Sequence, residues 1–206
     1  MSCPPTTDSG PPIPGAPGWE AVSRHTLNSY VEANRAILAG LGLAPSKDLG
    51  GDDSSYPELA FASPEWTTVR SVDSHDDLGV GEFVEFSKRI DEEDVRAFAE
   101  ASGDTNRLHL DEGFAAGTRF GGRIVHGTLV AGLVSAALAR LPGLTIYLSE
   151  ELSFTAPAEI GSRLTARCEI VEDLGEHQYR LTTEVSDEEG TLLIDGEAVV
   201  VVDALP

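Results

Sequence analysis

The sequence predicts an α+β fold in which an antiparallel sheet curls around one long, buried helix. Three observations carry that expectation. The segment TLVAGLVSAALARL is apolar on nearly every side and rich in Ala, Gly and Ser, the pattern of a helix covered by neighbours that approach closely. Four segments of strand character follow it: TIYLSEELSFTAP, RLTARCEIVED, QYRLTTEVSD and TLLIDGEAVVVV. In the third, Tyr179, Leu181, Thr183 and Val185 alternate with Arg180, Thr182, Glu184 and Ser186, the period of two that marks a half-buried strand. The links LGEH and DEEG are hairpin-sized and carry Gly, and strands joined by short links must run antiparallel. A long buried helix and a sheet wide enough to cover it make an α+β layer arrangement.

Composition bounds the rest. With 206 residues, 41% of them apolar, the chain suits one ordinary domain plus an appendage. Acidic residues number 35 against 14 basic ones, a formal charge of -21, and the only lysines are Lys47 and Lys88. Such a field repels nucleic acid. The acids are spread between apolar positions instead of massed in a tail, which fits a folded, heavily hydrated surface. At roughly 1 M salt the screening length is only ~3 Å, so the self-repulsion would fade in a cytosol of very high ionic strength. Cys3 and Cys168 give no disulfide framework, and Cys168 reads as a small buried hydrophobe. The first eighteen residues have no apolar core of a secretory signal, and LVAGLVSAALA falls short of the ~20 residues of a membrane span. A cytoplasmic location follows as the expectation.

Taken in order, residues 1–18 hold six of the twelve prolines and read as a disordered leader. Residues 19–43 read as an amphipathic helix, with Trp19, Leu27, Tyr30, Val31, Ile37, Leu38 and Leu41 on one side. Its charges, Glu20 and Glu32 against Arg24 and Arg35, cancel, unlike those of the rest of the chain. Docking on the protein's own sheet or its twin explains that neutrality, as does adhesion to a storage granule or partner protein. Residues 44–78 form an acidic, Gly-rich connection in which PEWTTVRSV makes a short strand. From residue 79 to 206 the main domain is expected. EFVEFSKRI reads as a strand, and DEEDVRAFAEAS as a helix capped by Asp91 with acids in its first turn. DEGFAAGT makes a further short turn of helix before FGGRIVHG leads into the central one.

Between the first two helical segments stands ASGDTNRLHLDE. On an unbroken helix of 3.6 residues per turn, Asp104 and His109 would point about 140° apart. A break at Gly103 lets both face one small molecule. A carboxylate beside an imidazole suits acid/base work near neutral pH, and Asn106 can orient the backbone or a neighbouring carboxylate. His126-Gly127 falls where the central helix begins, where free N–H groups and the helix dipole favour negative charge. His126 itself reads as a packed histidine at a helix start. His109, Asp111 and His126 lack a compact metal-ligand spacing, so no metal is expected.

GDTNRLHLDEGFAAGTRFGGRIVHGTLVAGLVS resembles the hydratase signature of the MaoC-like, (R)-specific enoyl-CoA hydratase family, and the similarity continues through IYLSEELSFTAPAEIGSRLTARCEI and GEAVVV. It covers roughly residues 79–203. The resemblance implies a hot-dog fold, commonly dimeric, that acts on an acyl-CoA thioester. It maps the family's catalytic pair onto Asp104 and His109, its oxyanion amide onto Gly127, its supporting serine onto Ser135 and its asparagine onto Asn106. Arg107 departs from the family's proline. That leaves the turn less restrained and sets a guanidinium where a coenzyme A phosphate can meet it. The implied reaction is hydration of a trans-2-enoyl-CoA to the (R)-3-hydroxyacyl-CoA, with no cofactor beyond the coenzyme A of the substrate. Two rival readings are an acyl-CoA thioesterase on the same architecture and a non-catalytic, granule-associated binding protein.

Overall fold

The computed structural model describes residues 56–206. The leader at 1–18, the amphipathic helix at 19–43 and residues 44–55 of the acidic connection lie outside the described residues. The elements run β1 (Thr67–Arg70), β2 (Phe83–Arg89), α1 (Glu92–Ser102), α2 (Arg107–Leu110), α3 (Glu112–Ala115), α4 (Gly127–Leu138), β3 (Leu144–Phe154), β4 (Arg163–Gly175), β5 (Gln178–Asp187) and β6 (Leu192–Asp203). The strands form one six-stranded sheet in the order β1-β2-β4-β5-β6-β3. Every neighbouring pair is antiparallel.

The strand expected in PEWTTVRSV is β1, which pairs with β2 from Thr67↔Ser87 to Arg70↔Val84. The sheet therefore takes in residues ahead of 79. Between β1 and β2 a 3-10 turn at His75–Asp77 sets the His75 ring against the far side of the sheet, where Nε2 lies 2.9 Å from the Val202 carbonyl oxygen.

The alternation read from the sequence is the alternation of burial. Leu164, Ala166, Cys168 and Ile170 of β4, and Leu181, Thr183 and Val185 of β5, are fully buried on one face of the sheet. Burial pushes the Cys168 thiol well above its usual range, as a small hydrophobe requires. The β4–β5 link turns on Gly175, Glu176 and His177, all at positive φ, the conformation that primed hairpin turns demand. In the β5–β6 link the Asp187 carboxylate accepts from the N–H groups of Glu189 and Thr191.

Across that face lies α4, burying Val130, Leu133, Val134, Ala137 and Leu138. Each of these Val and Leu side chains contributes about 1.5–3 kcal/mol relative to exposure. Just beyond its C-terminus, buried Arg140 donates through Nε to Thr68 Oγ1 at 2.9 Å and sits 3.9 Å above the Phe86 ring. A cation at that end suits the helix dipole and ties β1 to the helix. The expectation of a helix covered all round needs correcting, because Thr128, Gly132, Ser135 and Ala139 form an exposed stripe on α4. The curled sheet of one chain reaches only part of the way around. β3, at the sheet edge beside β6, carries a register shift between Tyr147 and Ser149 and turns Leu148 to solvent.

Candidate active site

The site is assembled by a deliberate end to α1. Asp91 caps its start in a reciprocal capping box with Asp94. Gly103 ends it at φ 76, in the left-handed region that favours glycine, with its N–H donating to the Ala99 carbonyl at 2.9 Å. The chain then folds on itself. Asp104 N–H donates to Ser102 Oγ at 3.1 Å, Thr105 N–H to the Gly103 carbonyl at 3.0 Å, and Asn106 N–H to Asp104 Oδ1 at 3.3 Å. Asn106 caps α2 by accepting from Leu108 N–H at 3.0 Å, so the helix restarts in a new direction with His109 buried.

His109 Nδ1 lies 2.9 Å from the Ile124 carbonyl oxygen. A carbonyl only accepts, so Nδ1 carries a proton, and in the neutral ring Nε2 is left with its lone pair. His126 makes the mirror arrangement, with Nε2 3.0 Å from the Asp104 carbonyl oxygen. Its Nδ1 is buried with no partner among the described residues. The two rings lie against each other with centroids 3.9 Å apart and planes tilted by 31°, and the Phe98 ring centre lies 4.9 Å from that of His126. Burial, opposed by the bond to the Asp104 backbone, holds the His126 pKa below its ordinary 6.5, so this ring is neutral near pH 7. Asp104, His109 and His126 place their side-chain donor atoms within 4.8 Å of one another.

Next to His126 the Gly127 N–H is the first of α4 and has no intrahelical acceptor. Gly127 and His109 line a cavity of ≈ 270 Å³ whose other walls include Val130, Phe154, Leu193 and Ile194. Phe154 lies so close to Gly127 that a Cβ there would stand 2.9 Å from its Cε1. An apolar cavity lined by an imidazole and a helix-start amide, with a carboxylate within 4.8 Å of that imidazole, can hold an acyl chain and move a proton beside a carbonyl.

The same three side chains invite the question of a metal. Two imidazoles on one ion, each at about 2.1 Å and at ordinary angles, have ring centres about 5 Å apart. Here the centres lie 3.9 Å apart with the rings tilted by 31°, closer than that arrangement allows. The donor set fits proton transfer better than coordination.

Of the residues named from sequence, Asp104 lies beside His109, His109 and Gly127 share the cavity wall, and Asn106 caps the short helix that carries His109. Arg107 is committed elsewhere, donating to Asp111 Oδ2 at 2.7 and 3.1 Å with its guanidinium 4.6 Å from the Phe114 ring centre. Ser135 lies eight residues beyond Gly127, about 12 Å along the helix, on the exposed stripe of α4 and outside the cavity wall. His126 is the packed histidine at a helix start that the sequence suggested, though its bond to the Asp104 backbone carried no signal. Two other residues were passed over for want of a signal. These are Phe154 at the end of β3 and Arg123, which donates to Glu92 at 2.7 Å and Glu112 at 3.3 Å. That bond to Arg123 holds the Glu92 carboxyl below its usual range.

The fold is that of a hot-dog domain, with a carboxylate beside an imidazole and a helix-start amide in the wall of an apolar cavity. Residues 77–190 match the MaoC like domain, more than half of the chain, and the chain belongs to that family. It is 45% identical over 127 residues to the (R)-specific enoyl-CoA hydratase of Aeromonas caviae, covering 60% of this chain and 94% of that protein. With the 3-hydroxybutyryl-CoA dehydratase of Methylorubrum extorquens it shares 44% over 130 residues, covering 61% and 81%. Among solved structures it resembles the A. caviae (R)-hydratase involved in PHA biosynthesis, with a TM-score of 0.59 and 42% identity over 62% of this chain and 98% of that one. It also resembles the R-hydratase PhaJ1 of Pseudomonas aeruginosa, with a TM-score of 0.61 and 38% identity over 68% and 90%.

Proposed function

We propose that this chain is an (R)-specific enoyl-CoA hydratase that adds water reversibly across trans-2-enoyl-CoA to give (R)-3-hydroxyacyl-CoA. The observation that carries the reading is that Asp104 lies beside buried His109, and that His109 and Gly127, with its helix-start amide, line one apolar cavity. Asp104 holds the water and takes its proton as the hydroxide oxygen bonds to C3. The C2–C3 π electrons move toward C1, and the negative charge growing on the thioester oxygen is met by the Gly127 N–H. His109 Nε2 accepts from the same water and fixes its position. The proton held by the Asp104–His109 unit returns to C2 on the face that received the hydroxyl, so the atoms of one water are all placed. Nothing is oxidised or reduced overall, and coenzyme A enters as part of the substrate.

Crotonyl-CoA hydration, followed by loss of the conjugated enone absorbance, tests this directly. Asp104→Asn and His109→Asn are expected to lose roughly 10²–10⁴-fold in kcat while keeping native circular dichroism, and the product is expected to be the (R) enantiomer. Near-native rates in both variants would reject the assignment. Release of free thiol in place of hydration would point to a thioesterase.

The reading extends to the setting of the enzyme. The unpaired edge of β3, with Leu148 exposed, and the small-residue stripe on α4 support a homodimer or higher homo-oligomer; sedimentation at the mass of a single chain would refute it. Among the described residues no helix is long and apolar enough to cross a membrane. We place the protein in a high-salt cytosol, where it supplies (R)-hydroxyacyl-CoA for polyester storage, with residues 19–43 touching the granule. Unchanged melting between dilute buffer and molar KCl, or granule-free fractionation with and without residues 19–43, would remove those parts.

A further inference from the structure

A protein of charge -21 has to admit a substrate whose outer portion is itself polyanionic. The acyl end of such a thioester is apolar and belongs in the cavity, so the phosphates leave through the mouth. Ten arginines fall among the described residues. Nine of them, from Arg70 to Arg180, donate to a carboxylate, a hydroxyl or a backbone carbonyl. Arg107 and Arg123, the two nearest in sequence to the site, are held by Asp111 and by Glu92 with Glu112. Arg119 is the exception: it is exposed, lines the cavity together with Phe120, and has no hydrogen-bond or ion-pair partner among the described residues.

Its backbone is fixed even though its head is free. Gly121 N–H donates to the Thr118 carbonyl at 3.1 Å, closing a turn over Arg119 and Phe120, with Gly121 at φ 72. Thr118 Oγ1 donates to the Ala115 carbonyl at 2.7 Å and accepts from Phe120 N–H at 3.3 Å. The guanidinium carbon rests 4.9 Å from the Phe120 ring centre. A ring beneath one face of a guanidinium leaves the planar fork of N–H donors free at its edge, and that fork matches two oxygens of a phosphate.

We propose that Arg119 is a phosphate-binding residue at the cavity mouth that holds the carrier portion of the acyl thioester. The proposal rests on the reading of an acyl-CoA substrate given above. The phosphate belongs to the pantetheine arm or to the nucleotide, and the ligands used to test the idea separate the two.

The test is calorimetric binding of coenzyme A, dephospho-coenzyme A, 4′-phosphopantetheine and pantetheine to the full-length wild type, Arg119→Gln and Arg119→Lys. Loss of one exposed charge-assisted contact should weaken coenzyme A binding about tenfold in Arg119→Gln, with Arg119→Lys between, and pantetheine should show no difference. A difference that survives in 4′-phosphopantetheine assigns the arm phosphate, and one lost in dephospho-coenzyme A assigns the 3′-phosphate. The wild-type to Arg119→Gln ratio should narrow as KCl rises. With crotonyl-CoA the loss should fall on KM and leave kcat in place. Equal coenzyme A affinity in wild type and Arg119→Gln, an equal loss on pantetheine, or a wild type that binds none of the four ligands would overturn the proposal. Arg119-dependent coenzyme A binding without hydration would leave it standing and sink the hydratase reading instead.

Discussion

Gly127→Ala is the substitution whose effect the structure specifies most closely. The added Cβ would stand 2.9, 3.1 and 3.4 Å from Cε1, Cδ1 and Cζ of Phe154. Carbon atoms in good contact lie about 3.5–4.0 Å apart, so the ring edge must retreat by about 0.6 Å or more. Phe154 is 58% exposed, which gives it room to swing, and the cost should stay near the low end of overpacking, about 1 kcal/mol. For a domain of this size that lowers Tm by roughly 2–4 °C. The catalytic cost should be far larger, because the methyl and the displaced ring crowd the amide that meets the thioester oxygen. Misaligning one such donor costs about 10²–10³ in kcat. Thermal melts and crotonyl-CoA kinetics on Gly127→Ala, with and without Phe154→Ala, separate the two effects. The second change should restore Tm by removing the ring edge; it restores kcat only if the ring was the obstruction. A Gly127→Ala enzyme with native kcat would refute the assignment of this amide to the oxyanion.

Two other positions make sharp expectations. Because burial holds the His126 pKa below 6.5, its neutral form contributes stability that is fully present above the unfolded value. As pH falls from 6.5 toward the depressed folded value, the unfolded chain takes up a proton that the folded chain refuses. Stability then declines by at most about 1.4 kcal/mol per pH unit. The groups facing the ring are His109 and Asp104, and His126→Phe should flatten this slope in urea unfolding between about pH 6.5 and 5; parallel curves for the two proteins would contradict it. At Gly196 a Cβ would lie 2.3 Å from the Glu151 carbonyl oxygen and 2.6 Å from Leu152 Cδ2. The first obstacle is backbone, which cannot swing aside, so Gly196→Ala must part β6 from β3 and cost at least about 1–3 kcal/mol; an unchanged melt would mean that the strands approach less closely.

The sheet was legible because its information is local. The alternation of Tyr179 to Ser186 and the two glycine-bearing links set three consecutive antiparallel strands without reference to anything distant. The position of β3 was not local: it lies beside β6, and pairs such as Leu152↔Gly196 join residues 44 positions apart. The exposed stripe on α4 stayed hidden because composition reports that a helix is apolar, and only the reach of the sheet reports which side is left open. Asp104, His109 and Gly127 were readable from a helix break and residue types that have few other uses together. The partners of Arg107 and Arg123 were not, nor that Arg119 has no hydrogen-bond or ion-pair partner among the described residues, since an arginine reads alike in sequence whether a carboxylate has claimed it or not. The His126 to Asp104 bond spans 22 positions and carries no periodic signal.

That bond also accounts for how the chain dispenses with proline at position 107. The reacting groups come from two segments, residues 103–110 and 124–127, and each contributes one histidine to hold the backbone of the other. His109 donates to Ile124, and His126 donates to Asp104. The exchange fixes two backbone points across the gap, while the adjoining rings fix the spacing between the segments. Proline would restrain the start of α2 by limiting the unfolded chain. Here the same start is held in the folded state by the Asn106 cap, by the Arg107–Asp111 pair one turn along the chain, and by the reciprocal histidines. The exposed Arg107–Asp111 pair contributes little, so most of the restraint must come from the buried exchange. The His109 imidazole is thus oriented by a carbonyl of the segment that bears Gly127, and a displacement of either segment moves Asp104, His109 and the Gly127 amide together.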